Sequence, residues 1–180
     1  MVAYTIRPRV DGDLPACVEA LATVHAADRY PVRWPRDAAG WLTPGGTLGA
    51  WVAVEGRSVG GHSVGGHSVG GHVVLTRLDA QADVDLTEAV GRRAEELAAV
   101  ARLFVGVPTR GRGQARALLA HAARAAHTMK LQPILEVESG AASAIALYER
   151  SGWRFVGSRT ETWIAPNGRP AELRVYLGPA

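Results

Sequence analysis

Apolar residues recur at helical spacing near the start of the chain, after a short stretch that favours a strand. The strand is predicted over Ala3 to Ile6, and Asp11 and Asp13 precede the helical series as capping residues. The apolar series consists of Leu14, Cys17, Val18, Leu21 and Val24. Pro31 and Pro35 interrupt the pattern, so the first helix is predicted to end before them.

The remaining pattern predicts six strands and two helices. Strand-like runs extend over Trp51–Val54, Val73–Leu75, Leu97–Val107, Ile134–Val137, Trp153–Ile164 and Ala171–Leu177. Helical spacing extends from Ala115 to Met129 and from about Ser143 to Arg150. The strand–helix–strand succession in the second half requires a crossover, whereas the other connections favour antiparallel pairs. The predicted fold is therefore α/β, of the α+β kind, with a central mixed sheet and helices on both faces.

A perfect five-residue repeat interrupts this plan after the second strand. Ser58–His62 recurs as Ser63–His67 and as Ser68–His72. One copy is sufficient for a tight hairpin, so the glycine-rich segment at about 58–72 is predicted to be an insertion within a single domain of residues 1–180. The three histidines are of a type that binds metals. An odd period places successive members on opposite faces of a strand, so no metal site is predicted.

Composition and charge fit a compact globular domain and narrow the range of partners. Of 180 residues, 47% are hydrophobic and 21% charged, and 20 Lys and Arg against 17 Asp and Glu leave a net charge of +3. This excess is too small and too dispersed to predict nucleic-acid binding. The chain lacks an apolar run of the ~20 residues that cross a membrane, and its single Cys17 cannot form an internal disulfide. A cytoplasmic location without membrane association is expected.

The most specific motif is a glycine-rich turn between the Leu97–Val107 strand and the following helix. Gly111 and Gly113 remove side chains that would keep a diphosphate from the backbone, and Arg110 and Arg112 add positive charge. Free N–H groups and the positive end of the helix dipole converge at such a turn. It has neither the Gly-Lys-Ser/Thr of a nucleotide P-loop nor the three spaced glycines of a dinucleotide site. By itself the turn predicts either a phosphate site or an ordinary connection.

A second motif downstream indicates which kind of phosphate site this is. The pattern Arg110-x-x-Gly113-x-Ala115 resembles the pyrophosphate loop of the GNAT N-acetyltransferase superfamily, and the stretch from Ala144 to Trp153 resembles that family's second signature. The two motifs occur in the same order along the chain as in the family. The first half of the chain resembles the family only in its sequence of strands and helices. One departure is Ala141, where relatives commonly carry an asparagine.

The resemblance implies that the chain binds acetyl-CoA as acyl donor and needs no metal. It places the cofactor in a gap where the Leu97–Val107 strand separates from the strand at Ile134. The pantetheine arm is assigned to backbone groups near Phe104, Val105 and Val107. The diphosphate is assigned to the turn and helix start, which comprise Arg110, Gly111, Arg112, Gly113, Gln114 and Ala115.

The resemblance also implies that the acetyl group passes directly to an amine, without an acyl-enzyme. Tyr148 matches the family's tyrosine near the thioester sulfur and can protonate the leaving thiolate. The alternative is a packed core ring, because Ile145 lies on the same helix face. A carboxylate near the start of the central strand often serves as base, which makes Glu96 the candidate, next to Glu95. A solvated pair of acids is the alternative there.

The acceptor is expected to be a primary amine on a small molecule, bound by the first half of the chain. Tyr30, Trp34 and Trp41 follow the first helix and can stack on an acceptor or hold its amine by cation–π attraction. They can equally be hydrophobic plugs over the sheet. A peptide terminus is the second type of acceptor.

Two further hypotheses belong to other functional classes. In the first, the chain is a non-catalytic CoA-binding or interaction module that uses the repeat to contact a partner or a metal. In the second, the repeat extends an exposed strand edge and promotes exchange between two copies in a homodimer. Release of CoA thiol with a panel of amines separates turnover from binding alone.

Overall fold

The computed structural model describes residues 4–55, 58–59, 62–63, 68–78, 84–165 and 167–180. The strands in these ranges are β1 (Tyr4–Pro8), β2 (Thr47–Glu55), β3 (Ser58–Val59), β4 (His62–Ser63), β5 (Ser68–Arg77), β6 (Leu97–Val105), β7 (Gln132–Glu138), β8 (Arg154–Ile164) and β9 (Pro170–Leu177). The helices are α1 (Leu14–Asp28), α2 (Ala38–Trp41), α3 (Val84–Val90), α4 (Gln114–Thr128) and α5 (Ala142–Arg150). None of these helices is long and apolar enough to cross a membrane.

Seven strands form one mixed sheet in the order β1-β2-β5-β6-β7-β9-β8, and β3 pairs with β4 separately. The pairs β1–β2, β7–β9 and β8–β9 are antiparallel, whereas β6 and β7 are parallel. The chain passes through α4 between β6 and β7, which is the crossover that the sequence predicts. The mixed sheet confirms the predicted fold class.

The parallel register between β6 and β7 is short. It begins with Leu97 opposite Gln132 and ends with Ala99 opposite Ile134. β7 continues to pair with β9 as far as Glu138. Among the described residues, the β6–β7 register therefore ends before either strand does.

The chain divides into two compact units, of which the first comprises residues 1–74 and 102–119. Its core contains one face of α1 and inward-facing residues of β2, β5 and β6. The fully or nearly fully buried members are Cys17, Leu21, Val24, Leu42, Val52, Val54, Val69 and Phe104. This apolar face is the one that the spacing of residues 14–24 predicts.

The second unit comprises residues 75–101 and 120–180. Its core includes Leu86 of α3, Leu97 of β6, Ile134 of β7 and Val175 of β9. A helix is thus packed on three strands by apolar contacts, which are the main source of stability in such a layer.

Parts of all three repeat copies lie within the described residues. The third copy, Ser68–His72, is the first half of β5, which begins five residues before the predicted strand at Val73. Residues of the earlier copies form the β3–β4 pair. His67 and the side chain of His62 lie outside the described residues.

Candidate functional site

The turn before α4 presents a continuous run of backbone N–H groups. Gly111 and Gly113 have φ angles of +77° and +78°, in the left-handed region that glycine adopts without strain. Within the described residues, the N–H groups of residues 111–116 donate to no acceptor, and the next one, of Ala117, donates to the carbonyl of Gly113 at 3.1 Å. Unpaired N–H groups at a helix start attract an anion, because the helix dipole adds to their partial charges.

The base of this turn is tied to β5 and α1. The carbonyl of Gly70 accepts hydrogen bonds from the N–H of Gly106 at 2.8 Å and from the hydroxyl of Thr109 at 2.8 Å. The N–H of Val107 donates to the hydroxyl of Thr23 at 3.1 Å. These bonds fix the position from which the N–H run starts.

Two glycines of the third repeat copy allow close approach to the turn. A Cβ at Gly70 would lie 2.6 Å from Oε1 of Gln114, and one at Gly71 would lie 2.9 Å from Leu118. Both distances are shorter than van der Waals contact. The third copy therefore belongs to the structure that supports the turn.

Both arginines of the turn are paired with carboxylates of the same unit. Arg110 donates to both oxygens of Asp28, and Arg112 donates to Glu55. Glu55 also accepts a hydrogen bond from the amide of Gln114 at 3.0 Å. The charges that the sequence assigned to a diphosphate thus have partners here. The Arg110–Asp28 pair is exposed on both sides, and such pairs stabilise by only about 0–1 kcal/mol, so an anionic ligand can compete for the guanidinium of Arg110.

Gln114 has a different role from the other turn residues. The residue is 1% exposed, and its Oε1 has no hydrogen-bond partner among the described residues. The side chain lies inside the unit, so only the backbone N–H of Gln114 belongs to the proposed anion site.

Some backbone groups of the residues assigned to the pantetheine arm already form hydrogen bonds within the protein. Phe104 is buried in the core of the first unit. The carbonyl of Val105 accepts a hydrogen bond from Nε of Arg110 at 3.4 Å. The N–H of Val107 is already donated to Thr23. The assignment of these three residues to the cofactor stays a prediction.

Tyr148 lies on α5 in the second unit, within an aromatic cluster. Its side chain is buried, and its ring centroid is 6.3 Å from that of Trp153 and 6.1 Å from that of Tyr176. The hydroxyl of Tyr176 donates to Glu149 at 2.9 Å. Burial and the neighbouring Glu149 raise the pKa of Tyr176. The contacts fix the ring plane of Tyr148, which a packed ring and a positioned proton donor both require.

Glu96 lies immediately before β6, at the end where Leu97 pairs with Gln132. Its carboxylate accepts a hydrogen bond from the backbone N–H of Arg93 at 2.9 Å. The carboxylate of Glu96 thus caps the start of the short turn at Ala94–Glu96. Its role as a base stays a prediction.

The structure brings two of the three predicted acceptor aromatics together. Tyr30 and Trp41 meet edge to face, with ring centroids 5.9 Å apart. Trp34 packs instead against the ring of His25 at 5.3 Å and is 41% exposed.

The sequence analysis missed the position of Arg102, which lies beside this pair, and the hydrogen bonds of His72, which joins Arg102 to Arg9. The guanidinium of Arg102 lies 4.0 Å from the ring centroid of Trp41. Nδ1 of His72 donates to the carbonyl of Arg102 at 3.1 Å, and its Nε2 accepts from Arg9 at 2.9 Å. A charged residue within the apolar β6 sequence is the signal that could have identified Arg102.

His72 is a buried, neutral imidazole. A guanidinium can only donate and a carbonyl can only accept, so the proton of His72 is on Nδ1. Burial lowers the pKa of His72 to about 4. Neither ring nitrogen of His72 is available to a metal, and the described residues contain no group of three metal-ligating side chains.

Cys17 is fully buried in the core of the first unit. Burial raises the pKa of its thiol to about 12, so the reactive thiolate does not form at neutral pH. Cys17 is therefore unsuited to act as a nucleophile.

Comparison with known proteins identifies a domain in the second half of the chain. Residues 84–163 match the family model described as an acetyltransferase (GNAT) domain. No curated protein matches the chain. The domain match includes both motifs that carry the sequence resemblance, at residues 110–115 and 144–153.

Several solved structures are similar over nearly the whole chain. The Arabidopsis thaliana NAA60 in complex with acetyl-CoA is 22% identical, with a TM-score of 0.70 over 97% of each chain. The ribosomal-protein-S18-alanine N-acetyltransferase of Escherichia coli is 19% identical, with a TM-score of 0.67 over 98% of this chain and 94% of that one. A GCN5-related N-acetyltransferase from Kribbella flavida is also 19% identical, with a TM-score of 0.67 over 99% and 98%. At these identities the similarity shows a shared fold.

Proposed function

We propose that the chain, in which residues 84–163 match a GNAT acetyltransferase domain and which shares the fold of known N-acetyltransferases, transfers an acetyl group from acetyl-CoA to a primary amine of a small molecule. The observation that carries this proposal is the run of N–H groups at residues 111–116, which donate to no acceptor in the part of the chain that the structure describes. Main-chain N–H groups at a helix start suit the diphosphate of CoA.

The residues present fit this cofactor. Gly111 and Gly113 are exposed, and a Cβ at Gly111 would meet no atom within 4 Å. Their conformation, rather than lack of space, requires glycine, because φ near +77° strains any larger residue. Arg110 and Arg112 stand on the same turn and can exchange their carboxylate partners for phosphate oxygens. The similar structure of NAA60 contains acetyl-CoA.

When bound, acetyl-CoA supplies the acetyl group as a thioester, which an amine attacks directly. The N–H groups of residues 111–116 hold the diphosphate in this proposal. Oη of Tyr148 donates the proton that the leaving sulfur needs, and the rigid ring keeps that atom in one place. The carboxylate of Glu96, or an ordered water, takes the proton that the amine loses. The buried thiol of Cys17 takes no part.

The proposal is tested by release of CoA thiol from acetyl-CoA in the presence of amines. The panel contains small primary amines, amino acids and short peptides with free amino termini. The proposal predicts thiol release that depends on a small amine and yields its N-acetyl derivative. Release with peptides alone would identify a peptide acceptor. Tight binding of acetyl-CoA without release across the panel would favour the non-catalytic module.

A further inference from the structure

Arg102 has an unfavourable backbone conformation in the middle of β6. Its φ of +53° lies in the left-handed region, which non-glycine residues rarely adopt. Glycine would relieve the strain, yet the position carries a long cationic side chain. Strained residues of this kind persist where the surrounding structure holds them, and they concentrate at ligand-binding sites.

The guanidinium of Arg102 has no counterion among the described residues. It lies against the ring of Trp41, and its Nε is buried without a hydrogen-bond partner in the described ranges of the chain. None of the ion pairs between described residues includes it. Because a guanidinium stays charged in proteins, the partial burial of Arg102 leaves a cation that a bound anion would stabilise.

Tyr30 does not supply this negative charge. Burial raises the pKa of its phenol to about 12, so the hydroxyl stays protonated at neutral pH. The cluster therefore consists of two neutral aromatic rings, of Tyr30 and Trp41, and one positive charge, that of Arg102.

Arg9 is a second cation near Arg102. His72 connects the two residues, because its Nε2 accepts from Arg9 and its Nδ1 donates to the carbonyl of Arg102. Arg9 donates to the carbonyl of Leu42 at 2.5 Å and to His72 at 2.9 Å, and no described carboxylate forms an ion pair with it. Asp13, an acid close enough to act on Arg9, is bound through both oxygens by Arg7 at 2.7 Å. Because His72 is neutral, it compensates neither the charge of Arg9 nor that of Arg102, and no carboxylate among the described residues forms an ion pair with either.

We propose that Arg102 binds a carboxylate of the acceptor, so that the acceptor is a small amine that also carries a carboxylate. A planar guanidinium matches a carboxylate with two parallel hydrogen bonds, and contact with Trp41 fixes its plane. The Tyr30–Trp41 pair offers an apolar surface to the rest of the acceptor. This inference rests on the proposed acetyl transfer and specifies its substrate class.

The test compares L-amino acids with their amides, which differ only in the charge of the carboxyl group. In the thiol-release assay, we expect kcat/KM to be at least about tenfold higher for one or more acids than for the matching amides, because a neutral amide leaves the cation unpaired. In Arg102→Met, we expect the ratio of kcat/KM for the acid to that for the amide to fall to about one. The value for the acid should fall, and the value for the amide should stay the same. Arg102→Lys keeps the charge without the planar fork and gives an intermediate ratio. Arg124→Met, which removes an exposed arginine of α4, leaves the ratio unchanged.

Isothermal titration with the same pairs tests the carboxylate site independently of turnover. If no amine is acetylated but acids bind better than amides, and Arg102→Met abolishes the difference, the carboxylate site stands and acetyl transfer fails. If amines are acetylated with equal kcat/KM for acid and amide, or the ratio is unchanged in Arg102→Met, the carboxylate site is wrong and acetyl transfer stands. The carboxylate site is also overturned if acids are preferred over amides in neither the thiol-release assay nor the titration.

Discussion

The hydroxyl of Thr109 donates to the carbonyl of Gly70 over 2.8 Å, and this bond joins the turn before α4 to the last copy of the repeat. The same carbonyl accepts the N–H of Gly106 at 2.8 Å. A segment that looks like low-complexity sequence therefore supports the backbone that we propose to hold a diphosphate.

Replacement of Thr109 tests this connection. Thr109→Val keeps the shape of the buried side chain but removes the donor, so we expect the free energy of unfolding to fall by about 1–2 kcal/mol. Thr109→Ser keeps the hydroxyl and should retain most of the stability. Urea unfolding measures both, and a Val variant as stable as the wild type would contradict the assigned role of the bond.

A bulky residue at Gly113 should abolish cofactor binding. Acetyl-CoA is expected to raise the melting temperature of the wild type, because a ligand that binds only the folded state stabilises it. Gly113→Val distorts the N–H run and should remove this shift. Gly168→Val is the matched control, because Gly168 is also exposed and has a φ of +79°. Gly168→Val should lose stability but retain the shift, and a full shift in Gly113→Val would refute the loop assignment.

Removal of the acid that holds Arg112 should strengthen cofactor binding. Glu55→Gln still accepts hydrogen bonds from Arg112 and Gln114 but no longer neutralises the turn. We expect the Kd for acetyl-CoA to fall roughly two- to fivefold at low salt, with a smaller effect at high salt. Glu88→Gln removes an exposed acid of α3 and should have no effect. Equal affinities for Glu55→Gln and the wild type would show that this acid does not compete with the ligand.

The two roles of Tyr148 are distinguished by removal of its hydroxyl. Tyr148→Phe keeps the ring packing, so a proton donor predicts a fall in kcat of at least about 10²-fold with the acetyl-CoA melting shift retained. Tyr176→Phe removes a hydroxyl from the same aromatic cluster and should change kcat little. Unchanged kcat in Tyr148→Phe would assign the residue to packing alone.

Buried His72 makes stability dependent on pH. The folded protein keeps this imidazole neutral down to about pH 4, whereas the unfolded chain protonates it below about pH 6.5. The unfolded state therefore binds more protons in this window, and stability falls as the pH drops from about 6.5 to 4, by up to about 3 kcal/mol. His72→Gln can make both hydrogen bonds but does not titrate. The variant should gain stability relative to the wild type as the pH falls, and parallel pH profiles would exclude the effect.

Strongly periodic elements were predicted close to their observed bounds. The spacing from Ala115 to Met129 predicts a helix that the structure places at Gln114–Thr128. In contrast, α2 at Ala38–Trp41 and α3 at Val84–Val90 were missed, because four and seven residues are too few to display a helical period.

The candidate site was predictable where its chemistry is local. Gly111 and Gly113 belong to one turn, and their residue type indicates the conformation they adopt. The partners of the neighbouring arginines were not predictable, since Asp28 is 82 residues away from Arg110 along the chain. Arg102 could not be identified as a candidate site residue from the sequence, because its contact with Trp41 is formed only in the folded chain.

The central claim is that the N–H groups of residues 111–116 bind the diphosphate of acetyl-CoA, and amide NMR tests it directly. Titration with acetyl-CoA should shift the ¹H–¹⁵N resonances of these residues, whereas S-acetylpantetheine, which has no diphosphate, should leave them in place. Binding of acetyl-CoA that leaves these resonances unshifted, or equal shifts with the two compounds, would contradict the account.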